Sequence, residues 1–149
     1  MGYIAPLATL TSVVRVRPSC RRGMVTAELR MNVEPGTVWS VIADVRTWPR
    51  WGPSVSGARV DGGGGVTAGA RGTLTTVMGL SLPFEITECV EGKSWAWKVA
   101  GVNATRHEVI GVPGGCVVSF GAPVWAAGYL PVLALALPRI EQISVDRAR

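Results

Sequence analysis

Between residues 25 and 33 apolar and polar side chains alternate. Ala27, Leu29, Met31 and Val33 fall on one side, Thr26, Glu28, Arg30 and Asn32 on the other. A period of two predicts a half-buried strand. The period then changes. Val38, Ile42 and Val45 recur at helical spacing with Trp39 beside them, and Pro35 stands where a first helical turn tolerates a residue without an N–H. Residues 44–51, with Pro49 between Trp48 and Trp51, read as a second short helix or turn anchored by two indoles. Six further strands are predicted over 55–61, 71–78, 80–88, 94–100, 104–112 and 116–122. Glycine-rich turns separate them: four glycines at 62–65, Gly79, Glu91-Gly92-Lys93 and Pro113-Gly114-Gly115. Short strands joined by tight turns predict an antiparallel meander.

The last apolar stretch changes period again. Trp125, Tyr129, Val132, Leu133, Ala136, Ile140 and Ile143 lie at steps of three and four over residues 124–145, which predicts a long helix. Pro131 and Pro138 each remove a backbone hydrogen bond, so the helix is expected to be kinked or in two pieces. The apolar run 124–137 is short of the roughly 20 residues that cross a bilayer. It reads as a buried helix, and no stable membrane insertion is expected.

The pattern describes an α+β chain. Its 149 residues, 48% of them hydrophobic, suit one domain with a real core. We place that domain at 24–145, with 146–149 as a tail and 1–23 as a disordered extension, or as sequence upstream of a true start at Met24. The formal charge of +5 sits mostly in that extension, which holds Arg15, Arg17, Arg21 and Arg22 and no acid. Eleven basic and ten acidic residues remain, a net +1, so no nucleic-acid face is expected. Cys20, Cys89 and Cys116 are odd in number and widely spaced, which fits thiols in a reducing cytoplasm better than a disulfide framework or a zinc site.

The order of one strand, two short helices, six strands and a long helix resembles the polyketide cyclase/dehydrase branch of the START-like (SRPBCC) superfamily. The segments that carry the resemblance are Glu34-Pro35-x-x-Val38-Trp39, Trp48-Pro49-x-Trp51, Gly69-Ala70-Arg71-Gly72, Trp95-x-Trp97 and the run from Gly114 to Phe120. It implies a helix-grip fold: a curved antiparallel sheet of about seven strands around the C-terminal helix, with a cavity between them. It supplies no catalytic motif to carry over.

Strand alternation then selects candidates. Lys98 prefers water, so Trp95 and Trp97 are expected to point inward. Arg106 and Glu108 likewise turn Thr105 and His107, the only histidine, toward the interior. His107 would then stand near Trp97 and face Trp125 and Tyr129. A partly buried imidazole against aromatic walls suits a general acid/base. It equally suits a core histidine bonded to a backbone carbonyl or to Tyr129. Glu85 is the nearest candidate carboxylate partner, although it could equally face outward. Met78, Leu82, Phe84 and Leu133 are expected to complete the apolar lining, with Met78, Leu82 and Phe84 forming its floor. Arg71 reads as a holder of a ligand carboxylate or as a solvated edge residue. No Ser-His-Asp set, paired-carboxylate motif or nucleotide fingerprint is present, and neither a cofactor nor a metal is expected.

Three readings follow. The first is a domain that binds a small hydrophobic or aromatic molecule, lipid- or polyketide-like, in an internal cavity; a homodimer is compatible with it. The second is a polyketide cyclase-like enzyme using the same cavity, with His107 and Tyr129 moving protons. The third is a non-catalytic module with the cavity filled, binding a protein or a membrane surface through Leu130, Ala134 and Leu137 on the last helix.

Overall fold

The structure is a computed structural model that describes residues 13–19 and 23–149, the side chains of 17–19 excepted. Strand β1 (Arg15–Ser19) is followed by β2 (Met24–Met31), helix α1 (Pro35–Ile42), a 3-10 turn (Val45–Thr47) and helix α2 (Trp48–Trp51). Strands β3 (Val55–Val60), β4 (Arg71–Thr76), β5 (Ser81–Val90), β6 (Ser94–Val99), β7 (Val102–Val112) and β8 (Gly115–Pro123) come next. A 3-10 segment (Val124–Tyr129) then leads into helix α3 (Leu130–Arg147). The strands form one antiparallel sheet in the order β1-β2-β8-β7-β6-β5-β4-β3. This is the expected helix-grip architecture, with eight strands among the described residues rather than about seven.

The added strand corrects the reading of the N-terminal stretch. Arg15–Ser19 were expected to be unstructured, yet they pair with β2 from Arg15 opposite Glu28 to Ser19 opposite Met24. Among the described residues β1 is an edge strand, where Pro18 is tolerated. The remainder of 1–23, apart from Val13, Val14 and Gly23, lies outside the described residues, as does Cys20.

Three register shifts bend the sheet. One falls in β3 between Val55 and Gly57, one in β5 between Ile86 and Glu88, and one opposite Ala96 and Lys98 of β6, where β7 carries the extra residue between Asn103 and Arg106. Bulges raise the local twist and curl the sheet around whatever covers it. α3 covers it, burying Leu133, Ala136, Leu137, Ile140 and Ile143. That face differs from the expected one. Trp125 and Tyr129 belong to the preceding 3-10 segment, and Leu137 is fully buried rather than part of an exposed strip. Pro131 sits in the first turn of α3, where its missing N–H costs nothing, so the two-piece reading holds at that point. The helix continues through Pro138.

The Trp-Pro-x-Trp segment closes one end of the core. Asp44 accepts from the backbone N–H of Arg46 at 3.0 Å and caps the 3-10 turn. Trp48 donates to the Ile42 carbonyl at 3.0 Å, and Trp51 to the Thr47 hydroxyl at 3.1 Å. Trp48 then packs against Phe84, Trp95 and Trp97, with ring centroids 5.6, 5.1 and 5.2 Å away. This aromatic cluster forms the base on which the site stands.

Candidate functional site

Two adjoining spaces lie between the sheet and the C-terminal segment. The inner one is a crevice of about 40 Å3 among Trp51, Trp95, Trp97, His107, Tyr129 and Leu133. The outer one is a chamber of about 370 Å3 whose lining includes Leu74, Leu82, Trp97, Val102, Ala122 and Trp125. Ser54, Trp97, Thr105 and Tyr129 border both. Tyr129 and Ser54 join their hydroxyls at 2.6 Å, tying the 3-10 segment to the loop before β3.

β7 places Thr105 and His107 on the inner face, as alternation required, and His107 is 2% exposed. Its ring stacks on Trp95 with centroids 3.8 Å apart and meets Phe120 edge-on at 4.6 Å. The Nδ1–H points to the Trp95 carbonyl at 3.4 Å, so Nε2 is the nitrogen that accepts from the Thr105 hydroxyl at 3.1 Å. Thr105 accepts in turn from Trp97 Nε1 at 3.0 Å. The chain of donors is closed, and His107 has no carboxylate beside it. Burial lowers its pKa to about 3, against the opposing pull of the Trp95 carbonyl, and Arg106 adds to the lowering. The imidazole is neutral and fully engaged at neutral pH. That is the core-histidine arrangement, with Thr105 in the place considered for Tyr129.

The other sequence-selected residues divide. Trp95, Trp97, His107, Tyr129 and Leu133 border the crevice; Leu82, Trp97, Trp125 and Tyr129 border the chamber. Trp125 lines only the outer space and is 71% exposed, so it does not face His107. Phe84 is core, packed between Trp48 and Trp97. Met78 is not part of the floor: β4 ends at Thr76, and Met78 sits in the following turn, 86% exposed. Glu85 faces outward beside Arg71, 3.8 Å away, and neither approaches His107. Sequence reasoning missed Ser54, Leu74 and Val102 as lining residues.

Trp95 is clamped between Trp48 and His107, at interplanar angles of 10° and 24°. Its Nε1 is buried without a hydrogen-bond partner among the described residues. Burial raises both described thiols: Cys116 to about 11, and Cys89, half-buried, in the same direction. Among the described residues no three His, Cys, Asp or Glu side chains gather to hold a metal ion.

A larger cleft, about 730 Å3, opens elsewhere, between α1 with its 3-10 turn and the β3 end of the sheet. Its size does not make it the better site. It is a surface hollow whose acids are already engaged: Asp44 with Arg46 at 3.0 Å and Arg147 at 3.8 Å, Glu91 with Trp39 at 3.2 Å. The apolar walls of the chamber suit a small hydrophobic molecule better.

A curved sheet gripping a helix over an apolar chamber defines a helix-grip protein. Solved structures agree on the fold. Protein Ms6760 from Mycobacterium smegmatis has a TM-score of 0.63 and 17% identity, covering 91% of this chain and 99% of its own. Protein MLL2253 from Mesorhizobium loti gives 0.67 and 13%, covering 85% and 98%. The Aha1 dimer from Colwellia psychrerythraea gives 0.60 and 13%, covering 78% and 92%. A comparison with curated proteins returns no match. Residues 22–140 match the family described as polyketide cyclase / dehydrase and lipid transport, and the chain belongs to that family. Among the described residues no helix is long and apolar enough to cross a membrane.

Proposed function

We propose that this protein binds a small hydrophobic or aromatic molecule in the chamber beneath its C-terminal segment. The observation that carries the reading is the chamber itself: about 370 Å3, within the range of small-molecule sites, with Leu74, Leu82, Trp97 and Trp125 on its walls. Family membership supports the same reading, since the family spans cyclases and lipid carriers. The binder acts in the cytoplasm, alone or as a homodimer.

The cyclase-like alternative asks His107 and Tyr129 to move protons. Both His107 nitrogens are engaged, its pKa lies at about 3, and it stands behind the narrow crevice rather than in the chamber. Tyr129 is held by Ser54. These facts favour holding a ligand over transforming it. Intact-protein mass spectrometry under native conditions tests the reading: an apolar adduct retained by the purified protein supports it. An adduct-free protein that also fails to shift its tryptophan emission across a panel of lipids and polyphenols overturns it.

A further inference from the structure

We infer that the chamber selects uncharged ligands, admitting apolar bodies with a neutral hydroxyl or carbonyl group and rejecting carboxylates, sulfonates, phosphates and ammonium groups. The inference rests on the chamber being the ligand site and names what that site takes.

The first ground is the lining. Among the described residues no Asp, Glu, Lys or Arg borders the chamber or the crevice. An ion taken from water into such walls finds no counter-charge, whereas an uncharged molecule of the same shape loses little. The contrast with the other large hollow is direct, because Asp44, Arg46, Arg59 and Glu91 all line that cleft.

The second ground is the polar inventory. Inside, Trp97, Thr105 and His107 satisfy one another, and Tyr129 is joined to Ser54. What remains for a ligand includes the one hydroxyl hydrogen that the Ser54–Tyr129 pair does not use and Asn103, an exposed lining residue whose carboxamide makes no side-chain hydrogen bond among the described residues. A primary amide donates and accepts without charge, so it matches a hydroxyl or a ketone.

Two dyes sharing one aromatic body test this. N-phenyl-1-naphthylamine is neutral; 8-anilino-1-naphthalenesulfonate carries a sulfonate. Titrations at about 0.15 M salt keep surface charge to a reach of roughly 8 Å. The neutral dye is expected to bind at least about tenfold more tightly, equivalent to about 1.4 kcal/mol. The positive net charge works against that order, which makes the comparison stringent. Ala104→Trp, which fills the chamber, should abolish binding of the neutral dye. Asn103→Arg, at an exposed position, should strengthen sulfonate binding about fivefold relative to binding of the neutral dye. Equal or tighter sulfonate binding in wild type, lost on filling the chamber, overturns the selectivity while leaving the ligand site intact. If neither dye binds, or the neutral dye binds equally well to the filled variant, the chamber is not the site and both readings fall.

Discussion

His107 lies flat against Trp95, ring centroids 3.8 Å apart, and directs its Nδ1–H at that residue's own carbonyl. The pair sits opposite in register on β7 and β6, so one strand contact supplies both the stacking and the hydrogen bond. Burial beneath that ring keeps the only histidine of the chain neutral against the pull of the carbonyl, and it fixes how stability depends on pH.

The histidine sign is definite. A pKa lowered from 6.5 to about 3 means that between those values the unfolded chain binds a proton the folded chain refuses. Stability is therefore fully present above pH 6.5 and falls as pH drops toward 3. Urea midpoints should decline between about pH 6.5 and 4.5, a window largely above the ordinary carboxylate range. His107→Gln should flatten that decline. An unchanged slope would show that the imidazole is not the titrating group.

Thr105 is the hub between Trp97 and His107. Thr105→Val keeps the shape and leaves the Trp97 N–H and His107 Nε2 unpaired, so it should cost about 2 kcal/mol in denaturant unfolding. Thr105→Ser keeps the hydroxyl and should cost less than half of that. Equal losses would mean that packing, not hydrogen bonding, is what Thr105 provides.

Gly72 lies in β4 where the neighbouring chain comes closest. A Cβ there would collide with the Arg59 carbonyl and the Phe84 ring. Gly72→Ala should therefore destabilise by about 3 kcal/mol, because a backbone carbonyl cannot rotate away as a side chain can. Gly57, with open space around its Cβ position, offers the control. Gly57→Ala should change stability by under about 1 kcal/mol.

Trp125 separates binding from folding. It is exposed and lines the chamber without joining the core. Trp125→Ala should leave stability within about 0.5 kcal/mol and weaken binding of N-phenyl-1-naphthylamine roughly threefold. Lost stability with unchanged binding would reverse that assignment.

Much of this was legible in the chain. Lys98 against Trp95 and Trp97, and Arg106 and Glu108 against His107, fixed which faces turned inward, because a charge cannot be buried without a partner. Other features depend on where elements end. Met78 looked like a strand residue, but Gly79 has φ of 84°, and the chain turns after Thr76. Trp125 and Tyr129 kept helical spacing in sequence, yet α3 begins at Leu130 and the 3-10 geometry before it turns them to the rim. Leu137 lies four residues beyond Leu133 and seven before Ser144, so its burial follows once the true helix start is known. The lining by Ser54 and Val102 had no local signature, since it comes from a turn and a strand end brought together by the curled sheet.

The most direct test of the chamber reads the indoles themselves. In a 15N-1H correlation spectrum of the protein titrated with N-phenyl-1-naphthylamine, the Nε1–H signals of Trp97 and Trp125 should move. That of Trp39, bonded to Glu91 beside the other cleft, should stay in place. Movement of Trp39 with Trp97 and Trp125 fixed, or no indole movement at saturating dye, would contradict the account.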